Sequence, residues 1–349
     1  MTIPSSPIAH RPFLRLHGSA RTLVAFLFLG LLVRGVGHAA APTFAPCSEP
    51  PPTAKLESPV ERVAVIGASA SAGFNAYFWR LVDDRPVRDS ITLAKLLRAA
   101  SHDRLVVIDL GTAQFFTNPA GIGELTIDRA LRAEPDLVVG IDFLFWFCYG
   151  WVGPEAGRMR TDDERLAMLD KGLSLLDRVV EQGLPLVVGD IPDMSAASGG
   201  VLQPVAVPTE ELRLEANRRI RRWVDERPSV ELFSLDGLQR LLESEEPIVV
   251  EGVELSPDER GRLLQLDRLH PTVGGLVVIV SLLADTLERH PNLVGRLPKI
   301  ERGYGANLER VTGFPRLGAQ DDLDRRWWES RRESLPASGK DPGGEDAGR

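Results

Sequence analysis

The most constraining feature of this chain is the stretch RVAVIGASASAGF at residues 62–74. Its short apolar run, 63–66, ends at a glycine, which is typical of a strand that is buried on both faces and leads into a tight turn. The turn at 67–73 contains only Gly, Ala and Ser, so little bulk covers the hydroxyls of Ser69 and Ser71. Open α/β sheets bind their ligands at the carboxyl ends of parallel strands, where Ser69 is expected to lie.

Two nucleotide-binding motifs are excluded for this turn. A dinucleotide fingerprint requires G-x-G-x-x-G, but Ser69 occupies the position of the second glycine, and a P-loop requires a lysine that this turn lacks. A purely structural turn, in which small residues let a strand and a helix pack closely, remains an alternative.

Downstream, apolar strands alternate with amphipathic helices, which is the pattern of an α/β protein with a doubly wound parallel sheet. The clearest helix spans 161–183, where Thr161 and Glu164 can form a capping box and leucines recur on one face. Residues 191–207 are predicted to form a flexible loop. The other predicted strands are 105–110, 137–141, 185–190 and 230–235, and the other predicted helices are 91–100, 123–133, 209–226 and 271–289.

The first 41 residues have the features of an export signal. Basic residues up to Arg21 precede the apolar run 22–33, and small residues follow at 37–41. The run is short for a transmembrane helix, which needs about 20 residues, although an uncleaved membrane anchor remains an alternative. The leader contains four arginines and no acid, so the net charge of −8 becomes −12 without it. Such an acidic chain is poorly suited to binding nucleic acid or an anionic membrane surface.

The 349 residues are enough for one substantial α/β domain with appendages. We expect a signal peptide at 1–41, a proline-rich linker at 42–59, a main domain at 60–292 and an extension at 293–349. The end of the extension, from about residue 336, is rich in Gly, Pro and charged residues and is expected to be disordered.

The chain contains two cysteines, Cys47 and Cys148. In an oxidising compartment they can pair and hold the linker against the main domain, and two free thiols are the alternative. Neither cysteine has a histidine nearby in the sequence, so a catalytic cysteine is not expected.

A serine nucleophile needs a base, and three histidines lie outside the leader. His102 lies in a polar connection, and His290 is expected at the exposed end of the last helix. His270 lies in DRLHPT at 267–272, where Asp267 can accept the Nδ1 proton and stabilise the imidazolium. In the alternative, Asp267 caps the turn and His270 is structural. A metal site is not predicted, because two ligands without a third cluster are insufficient.

Together, the two segments resemble a known family. GASASAG at 67–73 is similar to G-D-S-[LI]-[ST]-x-G, and DRLHPT at 267–272 is similar to D-x-x-H-P. These are the first and last sequence blocks of the SGNH, or GDSL, hydrolases. The resemblance covers about residues 60–290, and its last block is the more specific. It implies a three-layer α/β/α fold with a flavodoxin-like, doubly wound parallel sheet, and the activity of an esterase, lipase or carbohydrate deacetylase.

The resemblance also implies roles for individual residues. Ser69 would be the nucleophile, His270 the base and Asp267 the group that orients it. The oxyanion hole would comprise the Ser69 amide, the Gly111 amide and the side chain at position 142, where the family has asparagine and this chain has Asp142. An ionised carboxylate cannot donate a hydrogen bond, and losing one donor lowers the rate about 10²- to 10³-fold. Either Asp142 is protonated and donates, or the two amides suffice, or turnover is low.

The expected function is that of an exported serine esterase, periplasmic or secreted, that cleaves an acetyl or short acyl ester through an acyl-enzyme. Ala68 stands where the family has aspartate. Together with Asp142 it favours the alternative of a weak or inactive envelope protein that binds a glycan or acyl chain. An O-acyltransferase is a further alternative. The aromatic segment 143–151 is expected to form an acyl pocket, to stack on a sugar or to pack in the core.

No cofactor and no metal are expected. The expected partner is a small-molecule or glycan ester, with no nucleic acid and with membrane contact only through an uncleaved leader. The sequence makes no prediction of the oligomeric state.

Overall fold

Five parallel strands form the centre of the fold in the computed structural model, which describes residues 58–83, 85–150, 160–244, 246–318 and 321. In chain order the elements are β1 (Arg62–Gly67), β2 (Tyr77–Val82), β3 (Arg85–Ser90), α1 (Leu93–Ala100), β4 (Val106–Gly111), α2 (Pro119–Arg132), β5 (Leu137–Gly140), α3 (Phe145–Tyr149), α4 (Asp162–Val180), β6 (Leu186–Gly189), α5 (Glu210–Asp225), β7 (Val230–Phe233), α6 (Leu235–Glu243), β8 (Val249–Val250), β9 (Val253–Glu254), α7 (Pro257–Gly261), α8 (Val273–Arg289) and α9 (Tyr304–Thr312).

The central sheet has the strand order β4-β1-β5-β6-β7. All of its neighbouring strands are parallel, and the register between β1 and β4 places Gly67 opposite Gly111. Counted in the order in which these strands occur along the chain, the arrangement is 2-1-3-4-5, which is the flavodoxin-like, doubly wound topology. The predicted fold class is therefore confirmed.

Successive residues of β1 face two different hydrophobic cores, as the period of a strand requires. Val63 and Val65 contact the core formed with α1, α6, α8 and α9. Ala64 and Ile66 contact the core formed with α2, α3, α4 and α5. Because both faces of the sheet are covered, its strands are apolar almost throughout. Helices, sheet and helices thus form three layers.

The predicted strands and helices of this sheet are all present, with ends shifted by a few residues. Thr161 and Glu164 form the expected capping box at the start of α4. The loop at 191–207 contains two short 3₁₀ turns, at 195–197 and 204–206. The structure adds an antiparallel hairpin formed by β2 and β3, which the sequence did not predict.

The hydrophobic core continues beyond residue 292, because Leu293, Ile300 and Leu308 are buried in it. Within the described ranges, no helix combines the length and the hydropathy that crossing a bilayer requires. The predicted signal peptide, Cys47 and the C-terminal segment from residue 336 lie outside the described residues.

Candidate active site

The turn that follows β1 requires glycine at both of its ends. Gly67 has a φ of +147°, and a Cβ atom there would lie 2.0 Å from Oδ1 of Asp142. Gly73 has a φ of +64°, and a Cβ atom there would lie 1.8 Å from the carbonyl oxygen of Ile91. Since no other residue type fits these backbone conformations and spaces, the two glycines fix the path of the chain past Ser69.

The two serines of this turn have different environments. Ser71 is fully buried, and its hydroxyl donates to Oδ1 of Asp142 over 2.6 Å. Ser69 is partly exposed and lines an apolar cavity beside the turn. The Ser69 amide donates to none of the described residues, whereas the Ala70 and Ser71 amides are both engaged. The turn therefore presents one accessible hydroxyl and one uncommitted amide at the same residue.

Asp142 braces the serine turn from the end of β5. Its Oδ2 accepts from the amides of Ala70 and Ser71, each over 3.0 Å, and its Oδ1 accepts from the Ser71 hydroxyl. Burial raises the pKa of Asp142, and these hydrogen bonds oppose the shift without cancelling it. The side chain at this position therefore acts as an acceptor toward the turn, where the SGNH pattern has an asparagine that can donate.

The backbone of Gly111 packs against the serine turn. A Cβ atom at this position would lie 2.9 Å from the Ala72 amide nitrogen, so the two backbones are in direct contact. The Gly111 amide donates to Oδ1 of Asp109 over 3.3 Å. Gly111 is not among the described residues that line the cavity.

His270 is held by its own tight turn at the start of α8. Oδ1 of Asp267 accepts from the amides of Leu269 and His270, each over 3.0 Å, which is the local bonding typical of aspartate in turns. Oδ2 of Asp267 lies 2.7 Å from Nδ1 of His270. Burial would raise the pKa of Asp267, but the hydrogen bonds from His270 and Leu269 outweigh it and hold this pKa below its usual range. An ionised carboxylate only accepts, so Nδ1 carries the proton and Nε2 is left as the acceptor.

The serine turn and the histidine turn are in contact. The rings of Phe74 and His270 pack with their centroids 4.6 Å apart. Gln265 joins the two turns, because its Nε2 donates to the carbonyl oxygens of Phe74, over 2.7 Å, and Pro271, over 2.9 Å. The sequence did not predict a role for Gln265, whose position among the leucines at 263, 264 and 266 gives no sign of these partners.

Ser69 and His270 line the same cavity. Their side chains are not hydrogen-bonded to each other, and catalytic hydrogen bonds of this kind often tighten only in the substrate complex. The cavity has a volume of about 700 Å³ including its mouth. It lies between α6, α8, the start of α3 and the segment 192–194, and its walls include Phe145, Met194, Leu235, Leu238, Val278 and Ile279.

The wall at 192–194 is fixed by buried polar groups. The Tyr149 hydroxyl donates to the Pro192 carbonyl oxygen and accepts from the Met194 amide, each over 2.8 Å. The side chain of Asn217 bonds both the amide and the carbonyl oxygen of Ile191. This side of the cavity is therefore rigidly placed although it follows the last residue of β6 without regular structure.

Most of the aromatic segment 143–151 packs in the core. Phe143, Phe147 and Tyr149 are fully buried, and in this segment the described residue that lines the cavity is Phe145. Burial raises the pKa of the Cys148 thiol to about 12, which makes it unreactive as a nucleophile.

One expectation about the histidines is wrong. His290 was expected at the exposed end of a helix, but its side chain is fully buried. Its Nε2 lies 3.0 Å from the Ser229 carbonyl oxygen, and its Nδ1 accepts from the Asn292 amide. Burial lowers the pKa of His290, so it is held as a neutral structural residue, and it does not line the cavity beside Ser69.

In the part of the chain that the structure describes, no group of three or more His, Cys, Asp or Glu side chains is arranged to hold a metal ion. The ionisable groups at the cavity are Asp142 and His270, with Asp267 behind the histidine.

The chain matches no protein-family model and no curated protein. It is similar to solved structures of low sequence identity. A catalytic mutant of an acetylxylan esterase from Geobacillus stearothermophilus is 15% identical over 66% of this chain and 94% of its own, with a TM-score of 0.41. A GDSL-like lipase from Bacteroides thetaiotaomicron is 13% identical over 69% of this chain and 93% of its own, with a TM-score of 0.42.

Three features of the chain itself agree with the sequence blocks: the strand order, the serine turn after β1, and the turn from Asp267 to His270 before α8. The chain therefore has the three-layer α/β/α fold with a flavodoxin-like parallel sheet that the resemblance to the SGNH/GDSL hydrolases implied.

Proposed function

We propose that this chain is an exported serine esterase that hydrolyses a carboxylic ester through an acyl-enzyme. The observation that carries the proposal is that Ser69 and His270 line one cavity while Asp267 holds Nδ1 of His270 at 2.7 Å. This is the arrangement of a nucleophile, a base and the group that orients the base.

The chemistry follows from these positions. The Ser69 hydroxyl oxygen attacks the ester carbonyl carbon while its proton moves to Nε2 of His270. The bond between the carbonyl carbon and the alcohol oxygen then breaks, and the alcohol leaves with that proton. A water molecule, deprotonated by Nε2, attacks the acyl carbon of the acyl-enzyme. The bond between that carbon and the Ser69 oxygen breaks, the Ser69 oxygen takes the proton back from Nε2, and the acid is released. Asp267 stabilises the imidazolium in both steps.

The uncommitted amide of Ser69 is the donor best placed for the negative charge that develops on the carbonyl oxygen. Asp142 does not supply a second donor while it is ionised, because both of its oxygens accept. We therefore expect turnover below that of an esterase with a full set of donors.

Asp142 also favours a second candidate function. A chain that retains the fold but has lost an oxyanion donor can bind an acyl chain or a glycan in the envelope without turning it over. An O-acyltransferase would use the same three side chains but pass the acyl group to an acceptor other than water.

Hydrolysis of p-nitrophenyl esters by the full chain tests the proposal. Ser69→Ala should lower kcat at least about 10³-fold, as expected for loss of a nucleophile. Ser71→Ala in the same turn should retain activity within about tenfold, because its hydroxyl is buried against Asp142 and cannot reach substrate.

His270→Ala should lower kcat about as much as Ser69→Ala does. His102→Ala removes a histidine that does not line the cavity, so it should leave kcat unchanged. Hydrolysis that is equal in the wild type and in Ser69→Ala would exclude an esterase that uses Ser69. Faster turnover on addition of a sugar acceptor, with an acylated sugar as product, would instead support the transferase.

A further inference from the structure

The cavity beside Ser69 is apolar on every side except at the reacting groups. Apart from Ser69, Asp142 and His270, the one polar side chain among its described lining residues is Gln239. The Nε2 of Gln239 is already engaged, since it donates to Oε1 of Glu243 over 2.8 Å. A sugar ring needs several hydrogen-bond partners when it is buried, and these walls do not provide them.

The cavity extends along α6 away from the carboxyl edge of the sheet. Leu235, Leu238 and Leu242 all line it, and they lie on one face of the helix at spacings of three and four residues. The seven residue steps of helix from Leu235 to Leu242 correspond to a rise of about 10 Å. Val278 and Ile279 of α8 line the cavity as well.

This length sets the size of the chain that fits. With carbon–carbon bonds of about 1.5 Å, an extended saturated chain advances about 1.3 Å per carbon, so about eight carbons match the roughly 10 Å of α6 that lines the cavity. An acetyl group would leave most of this apolar surface in contact with water, which is unfavourable.

The cavity suits the acyl part of an ester better than the alcohol part. The acyl group stays attached to Ser69 through both half-reactions, whereas the alcohol must depart so that water can take its place beside His270. A chain buried between two helices would slow that departure. We propose that the substrates are esters of medium-length saturated acids of about eight carbons. This rests on the proposed esterase function, and it is argued from the apolar lining, the length of α6 that lines the cavity, and the difference between the acyl and alcohol parts.

A series of p-nitrophenyl esters from acetate to laurate tests this inference on the full chain. Each methylene that enters the cavity should raise kcat/KM about three- to fourfold, because burying a methylene contributes about 0.8 kcal/mol. The increase should end near octanoate. A series of n-alkyl acetates, in which only the alcohol lengthens, should show no such increase, and an increase confined to that series would overturn the assignment to the acyl part.

Leu242→Trp tests the far end of the cavity. Leu242 is partly exposed, so the larger ring can be accommodated, and it should reduce kcat/KM for the octanoate ester at least tenfold more than kcat/KM for the acetate ester. Leu241→Trp is the matched control, because Leu241 is equally partly buried on the same helix but does not line the cavity. This control should keep the wild-type dependence of kcat/KM on acyl chain length.

The outcomes separate this inference from the proposed function. Hydrolysis that depends on Ser69 but is fastest for the acetate ester, and slows as the acyl chain lengthens, would overturn the proposed preference for about eight carbons. The proposed esterase function would still hold. If no ester is hydrolysed, the proposed esterase function is wrong. Calorimetric titration of Ser69→Ala with octanoate then tests whether the cavity binds an acyl chain. Octanoate binding that Leu242→Trp weakens at least tenfold would retain it as an acyl-chain site, and no binding of octanoate would overturn it.

Discussion

Gln265 and Phe74 lie 191 positions apart in the chain, yet a single hydrogen bond of 2.7 Å joins them. The same Nε2 also donates to the Pro271 carbonyl oxygen, beside His270. One side-chain amide therefore sets the spacing between the turn that presents the serine and the turn that presents the histidine. Proton transfer depends steeply on such spacing, so this bridge is expected to affect catalysis and not only stability.

Gln265→Met tests the bridge, because methionine keeps the length of the side chain and removes both donors. We expect kcat to fall about tenfold with little change in KM, together with a loss of about 1–2 kcal/mol in the free energy of unfolding. Steady-state kinetics and urea unfolding measure the two effects. The exposed Gln203→Met should change neither. Loss of stability with kcat unchanged would show that Gln265 is structural only.

The central sheet and the two motif turns could be predicted from the sequence because their signals are local. The apolar run 63–66, its bounding glycine and the Asp267-to-His270 spacing are each contained within a few residues. The contacts of Gln265 with Phe74, and of Asp142 with Ser71, join segments far apart in the chain. No local pattern encodes them, so they became visible only in the fold.

The burial of His290 could not be predicted for the same reason, because it depends on contacts that no local pattern encodes. Its position at the end of α8 is typical of an exposed residue, but the chain that follows returns to the core, where Leu293 and Ile300 are buried. The backbone partners of its ring come from Ser229 and Asn292, and only the first is distant in sequence. A helix-end pattern cannot show whether the next segment covers it.

Asp142→Asn should increase esterase activity. The asparagine oxygen can still accept from the Ala70 and Ser71 amides, and the Ser71 hydroxyl can turn to accept from the new amide nitrogen. Removing the charge ends its repulsion of the oxyanion, so kcat/KM for a p-nitrophenyl ester should rise at least tenfold. A folded variant with lower activity would show that the carboxylate itself is needed.

The gain from Asp142→Asn should depend on pH. Burial raises the pKa of Asp142, so the carboxyl group keeps its proton to a higher pH than an ordinary aspartate. Below that raised pKa the wild type is protonated and the advantage of the variant is small. Above it the wild type is ionised and the advantage is full, so the ratio of the two kcat/KM profiles should increase with pH. A ratio that is constant with pH would exclude ionisation of Asp142 as its cause.

His290 should make the stability of the protein depend on pH. Because its pKa is lowered in the folded state, the unfolded chain binds the proton first, and stability is full above the unfolded pKa of about 6.5. It should decrease as the pH falls from 6.5 towards the lower folded pKa. Urea unfolding at pH 7.5 and 5.5 measures the loss.

Two variants isolate this effect. His290→Gln should lower stability at pH 7.5 but show a smaller further loss at pH 5.5. His102→Gln, at an exposed histidine, should retain the pH dependence of the wild type. If His290→Gln shows the same slope between the two pH values as the wild type, another group is responsible.

Whether His270 activates Ser69 as a nucleophile is tested by labelling the full chain with an alkyl fluorophosphonate, which reacts with activated serines. Peptide mass spectrometry then locates the adduct. One adduct is expected, on Ser69. Labelling should be lost in Ser69→Ala, strongly slowed in His270→Ala and retained in Ser71→Ala. An adduct on another residue, or labelling of Ser69→Ala at the wild-type rate, would contradict the assignment of Ser69 as a nucleophile activated by His270.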